Sequence, residues 1–132
     1  MLVHVQIHHN SRIEYSVNSF LSHSKYFPGS TMPTIQYGHH QVHYELSGDP
    51  GQPVITFLNG LTQNANLWKS YADYFVPRGY RVLAYDMLGQ GRSSKPVIDI
   101  KLAMHADMLD SLLEQLGIEK THLASISFGG II

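Results

Sequence analysis

From Thr34 onward the apolar and polar positions settle into short strand-like segments. Thr34 to Tyr37 and Gln41 to Leu46 alternate with a period of two, are separated by Gly38-His39-His40, and are closed by Ser47-Gly48-Asp49-Pro50-Gly51. This predicts a leading hairpin. Pro53 to Leu58 is a continuous apolar run, of the kind covered on both faces in a parallel sheet. A helix is expected next, capped by Asn66 and running to about Phe75, with Leu67, Tyr71, Tyr74 and Phe75 on one face before Pro77 and Gly79 end it. Trp68, Tyr71 and Tyr74 are read as packing residues. Tyr80 to Tyr85 is another apolar strand, and a long helix spans about Ile100 to Leu116, with Leu102, His105, Leu109, Leu112 and Leu116 three or four apart and Gly117 as its stop. Thr121 to Ile126 is the last strand. Strands alternating with helices at this spacing imply right-handed crossovers and an α/β class with a parallel sheet.

Residues 1–31 show neither period for long, and with six Ser and one Pro-Gly pair they are read as a disordered or non-native extension outside the fold. Met32 stands just before the first strand signal, so the domain is expected to cover 32–132. No secretion signal is expected at the start, because His4 and Gln6 interrupt the first apolar stretch and His8-His9-Asn10 follows it. No apolar run is long enough to span a bilayer. A soluble, cytoplasmic protein is expected.

The 132 residues are 43% hydrophobic, and nine Lys and Arg against ten Asp and Glu give a net charge of −1. Without a basic surplus, nucleic-acid binding loses its electrostatic footing. The absence of Cys removes disulfides, thiolate metal sites and a cysteine nucleophile. His39 and His43 share a face if both lie on one strand, but no carboxylate or Cys stands at ligand spacing, with Glu45 on a hairpin leading into solvent, so no metal is assigned.

The chemistry concentrates at Ser125-Ile126-Ser127-Phe128-Gly129-Gly130, where the last strand turns into a new helix. A serine on such a turn is forced into strained backbone geometry and needs small neighbours two residues to either side. The turn holds the hydroxyl clear of the sheet and aims the first free N–H groups of the helix at an oxygen bound beside it. Ser125 lies within the strand and is assigned a structural role. Asp86 is read as a loop cap, and His105 as a packing histidine rather than a base.

The order of elements and this turn resemble the first half of the α/β-hydrolase fold, over about Pro33 to Ile132. Ser127 falls at the nucleophile position of the G-x-S-x-G elbow. Leu58-Asn59-Gly60-Leu61 lies where the family has His-Gly-x, so the resemblance gives Leu61 and Phe128 the oxyanion-hole N–H groups. The stretch from Asp86 to Ser93 resembles the D-x-x-G-x-G-x-S loop after the fourth strand. Two positions depart from the family pattern: Ser125 replaces the first Gly of the elbow, and Asn59 replaces the His. Both are small or polar enough to serve, and together they are similar to the bacterial 3-hydroxyacyl carrier-protein acyltransferases, whereas the Gly89 to Ser93 loop looks more like ester and lactone hydrolases.

The resemblance implies a serine hydrolase acting on a small ester, lactone or thioester through an acyl-serine. The alternatives are an acyltransferase, with an acyl carrier protein or CoA thioester as partner, and a non-catalytic remnant. Family members that attack halides or epoxides carry Asp at the elbow, so Ser127 points away from those reactions. The steps call for no metal or organic cofactor. In this family the triad runs Ser, then Asp or Glu, then His, but none of these follows Ser127 and all nine His precede it. The chain is therefore read as the N-terminal part of such a hydrolase, ending just after the elbow and inactive alone.

Overall fold

The computed structural model describes residues 33–132. The expectations for residues 1–31 and for Met32 lie outside the described residues. The described chain forms one five-stranded sheet in the order β1-β2-β4-β3-β5, with β1 at Thr34–Tyr37, β2 at His40–Ser47, β3 at Val54–Leu58, β4 at Arg81–Tyr85 and β5 at Thr121–Ser125. β1, β2 and β4 pair antiparallel in sequence of position, while β3 runs parallel to both β4 and β5. The leading hairpin therefore joins the sheet through β4.

All five residues of β3 are buried, as its nearly all-apolar run requires of a strand covered on both faces. Its one polar side chain, Thr56, pairs diagonally across to β5, with Thr56 Oγ1 2.7 Å from Thr121 Oγ1, and the Thr121 hydroxyl also reaches the Val54 carbonyl at 3.1 Å. On one face lies helix α2 (Leu102–Gln115), which buries His105, Met108, Leu109, Leu112 and Leu113 against a core including Val42, Leu58, Leu83 and Tyr85. Past its end the Ile118 N–H bonds the Leu113 carbonyl and the Gly117 N–H that of Glu114, with Gly117 at φ +65. This left-handed stop is the one expected of a glycine there. The helix starts at Leu102 rather than Ile100, and Leu102 is exposed while Ile100 packs on the core from the preceding loop.

The other face carries a 3₁₀ turn, Ala65–Trp68, running into the short helix α1, Lys69–Phe75. Two expectations fail here. The cap is Asn64, whose side chain accepts the Asn66 N–H at 3.1 Å, and Asn66 itself is inside the turn. The buried face is Ala65 and Trp68 with Ala72 and Phe75 partly covered, whereas Leu67, Tyr71 and Tyr74 are exposed. Trp68 stacks on Phe57 of β3 with ring centres 4.6 Å apart, and Tyr71 only leans its ring on the same pair. Small side chains let the helix approach the sheet, and tyrosines sit at its rim where the hydroxyl stays wet.

The hairpin also departs from the reading. His39 lies in the turn, and His43 is buried within β2, so the two do not share a strand face, and the segment around Glu45 pairs with β4 instead of leading into solvent. Glu45 itself meets Arg92 at 3.4 Å. β5 ends at Ser125, one residue earlier than expected, leaving Ile126 exposed.

Candidate active site

Beyond β5, Ile126 is extended and Ser127 opens a 3₁₀ turn, Ser127–Ile131. Ser127 is exposed and has φ +52. Left-handed backbone is costly for a residue with a side chain, so surrounding packing must impose it. Gly129 supplies that packing, because a Cβ there would stand 2.6 Å from the Leu58 carbonyl oxygen and 2.7 Å from that of Asn59. No other residue lets the turn press onto the end of β3. Ser125 in the first small position fits because its Oγ lies beside Gly130, 3.3 Å from where a Cβ would be. The first internal bond of the turn runs from the Gly129 N–H to the Ile126 carbonyl, at 3.0 Å. The Phe128 N–H precedes it, at the open end of the turn where N–H groups lack internal acceptors.

Facing Ser127 is the loop that leaves β3. Gly60 is buried, and a Cβ there would stand 3.4 Å from Ser127 Cβ, so the two turns are neighbours with room for no side chain between them. Asn59 is fully buried: its Oδ1 accepts the Trp68 indole N–H at 2.5 Å, and its Nδ2 donates to the Tyr85 carbonyl at 2.7 Å. The side chain in the family's His position thus ties together β3, β4 and the start of α1. The Gly60 N–H donates to Gln63 Oε1 at 2.7 Å. Leu61 is 62% exposed, and Thr62 has φ +63; it and Ser127 are the two non-glycine residues with positive φ among the described residues.

Asp86 is buried at the end of β4, with Oδ1 accepting the Ala65 N–H at 2.6 Å and Oδ2 the Arg92 N–H at 2.8 Å. It caps two segments rather than one. The loop it anchors is sewn to the hairpin, the His43 N–H donating to Ser93 Oγ and the Gln41 N–H to Ser94 Oγ, both at 2.9 Å. A cavity of about 230 Å³ opens between Asn64, Asn66, Asp86 and Arg92, and Ser127 does not line it. His105 comes up from α2 with its ring edge-on to Phe128, centres 5.4 Å apart. Burial pushes its pKa below the ordinary histidine value, and its Nδ1 has no hydrogen-bond partner. Among the described residues no three His, Cys, Asp or Glu cluster as metal ligands, and no helix is long and apolar enough to cross a membrane.

The structure therefore brings the turn of Ser125, Ser127, Phe128, Gly129 and Gly130 against Asn59 and Gly60, with Leu61 next in the chain and exposed, and keeps Asp86 as a backbone anchor. The family model for the alpha/beta hydrolase fold matches residues 53–132. The chain belongs to the alpha/beta hydrolase fold family. Within that family it is 31% identical to 3-oxoadipate enol-lactonase 2 of Acinetobacter baylyi over 90 residues, covering 68% of this chain and 33% of that one. It is 34% identical over 94 residues to the 2-hydroxy-6-oxononadienedioate/2-hydroxy-6-oxononatrienedioate hydrolase of Paraburkholderia phymatum, covering 68% and 32%. The structure of a hydrolase from Pseudomonas aeruginosa superposes with a TM-score of 0.73 at 26% identity, covering 79% of this chain and 39% of that one. The chain spans about a third of the length of the curated relatives it matches. Sequence reasoning missed Gln63 and the Asn59–Trp68 bond. Neither leaves a signal in the pattern, since both depend on the fold bringing side chains back over the loop.

Proposed function

We propose that this chain supplies the nucleophile and the oxyanion-binding turns of a serine hydrolase that cleaves a small ester, lactone or thioester through an acyl-Ser127 intermediate. The observation that carries the reading is Ser127 itself, exposed, left-handed at φ +52, and beside Gly60, where an added Cβ would stand 3.4 Å from its own. In this scheme Ser127 Oγ attacks the acyl carbonyl carbon as a general base takes its proton, and the carbonyl electron pair moves onto oxygen. The N–H groups of Leu61 and Phe128 receive that charge, which they meet fully only in the transition state. Collapse of the tetrahedral species expels the alcohol or thiol with the proton, and water then attacks the acyl-serine by the same route. Gly60 and Gly129 let the two turns approach, and Asn59 and Asp86 hold the frames on which they stand. A serine elbow favours acyl chemistry, and the enol-lactonase and hydrolase relatives support a small oxygenated substrate.

In the full protein a fluorophosphonate probe is expected to label Ser127, with label lost in Ser127→Ala and kept in Ser125→Ala. Labelling that survives Ser127→Ala and vanishes with Ser125→Ala overturns the assignment. With a hydroxyacyl thioester the expected product is the free acid; a transferred acyl group would move the reaction to the transferase class.

A further inference from the structure

We infer that Gln63 is a positioning residue for the reaction, its side-chain amide locking the turn that presents the Leu61 N–H beside Ser127; the inference rests on the acyl-Ser127 reading. Gly60 is buried, so its N–H must find an acceptor inside the protein. It finds one in Gln63 Oε1 at 2.7 Å, a side chain three residues on that folds back over its own turn. The same oxygen is 2.9 Å from where a Cβ on residue 60 would stand, and Ser127 Cβ is 3.4 Å from that point, so clamp and serine both border the space that only a glycine leaves open.

What the clamp must hold is a turn with little else to fix it. The Leu61 side chain is 62% exposed, so packing does not orient the peptide on either side of it. Thr62 has φ +63, a conformation a β-branched residue adopts only under constraint from its surroundings. Asn59 below and Asn64 above are each anchored, by Tyr85 and Trp68 at one end and by the Asn66 N–H at the other. Between those anchors, the bond from the Gly60 N–H to Gln63 closes the turn. An amide suits the place, because it accepts strongly without setting a negative charge beside a carbonyl oxygen that becomes an anion.

The test uses the full protein with a short-chain nitrophenyl ester, following kcat and KM separately, together with hydrogen exchange of the Gly60 amide. Gln63→Met keeps the volume and removes the acceptor, and Gln63→Asn keeps the amide but is one methylene too short. Each is expected to lower kcat about tenfold, less than the loss of an oxyanion donor itself, with KM within twofold and faster exchange at Gly60. Gln63→Glu retains an acceptor and is expected to keep that exchange slow. Unchanged Gly60 exchange in the Met and Asn variants overturns the clamp. Faster exchange with unchanged kcat, or a rise in KM alone, overturns its role in positioning. Turnover that is absent in the natural protein or survives Ser127→Ala overturns the acyl-Ser127 reading, and this inference with it, separately from any result at Gln63.

Discussion

The two turns that meet at Ser127 are built on opposite principles. The elbow is specified by missing side chains: Gly129 lies against the carbonyl oxygens of Leu58 and Asn59, and Gly130 leaves room for Ser125 Oγ. The loop from Asn59 to Ala65 is specified by side chains that are present, with Asn59 bonded to Trp68 and Tyr85, Gln63 to Gly60, Asn64 to Asn66, and Asp86 to Ala65. A steric requirement is satisfied or violated outright, whereas a polar network can lose one bond at a time. The elbow should therefore fail abruptly on substitution and the loop by degrees.

Gly129→Val tests the abrupt case. With backbone oxygens unable to move aside, it is expected to cost about 3 kcal/mol or more in chemical denaturation and to abolish probe labelling of Ser127; a stable, labelled variant would break the contrast. Asn59→Ala strips partners from a buried indole N–H and a buried carbonyl, and a loss of about 2–4 kcal/mol is expected, read as a lower urea midpoint. Asp86→Asn turns one of its two acceptor positions toward a backbone N–H that needs an oxygen, for about 2 kcal/mol, and should loosen hydrogen exchange at either Ala65 or Arg92. His105 gives a smaller and pH-dependent effect. Its folded-state pKa lies below the unfolded value, so the unfolded chain binds the proton first and stability falls as pH drops below about 6.5, being level above it. His105→Leu should flatten the melting temperature between pH 7.5 and 5.5. The smallest change is expected for Thr62→Gly, where relief of left-handed strain and added chain entropy are each about 1 kcal/mol and opposed; a melting shift of several degrees would mean that the loop is more steric than polar.

The same division decides what could be read from the sequence. The elbow was legible because Ser-x-Ser-Phe-Gly-Gly writes a steric demand in consecutive residues, and the strands were legible because β3 and β4 are apolar runs of strand length. The face of α1 was not. Leu67, Tyr71, Tyr74 and Phe75 have as good a helical spacing as Ala65, Trp68, Ala72 and Phe75, and spacing alone does not reveal that the indole N–H has a buried oxygen waiting at Asn59. The cap was ambiguous between Asn64 and Asn66 for a similar reason: the helix start is fixed by Asp86, which takes the Ala65 N–H from a strand twenty-one residues away in the chain. That Asp86 takes N–H groups from two separate segments is likewise visible only in the fold.

The hydroxyl pair between Thr56 and Thr121 has a consequence at the other end of their strands. A parallel strand can slip along its neighbour by one residue, about 3.3 Å, and with β3 apolar on both faces the hydrophobic pattern alone resists such a slip weakly. Either slip would pull Thr56 Oγ1 from Thr121 Oγ1 and leave the buried Thr56 hydroxyl without that partner. Such a displacement would carry Ser127, just beyond the end of β5, out of step with Gly60, just beyond the end of β3. Two threonines remote from the elbow thus act as a gauge, a ruler that keeps the Ser127 turn level with the Gly60 loop.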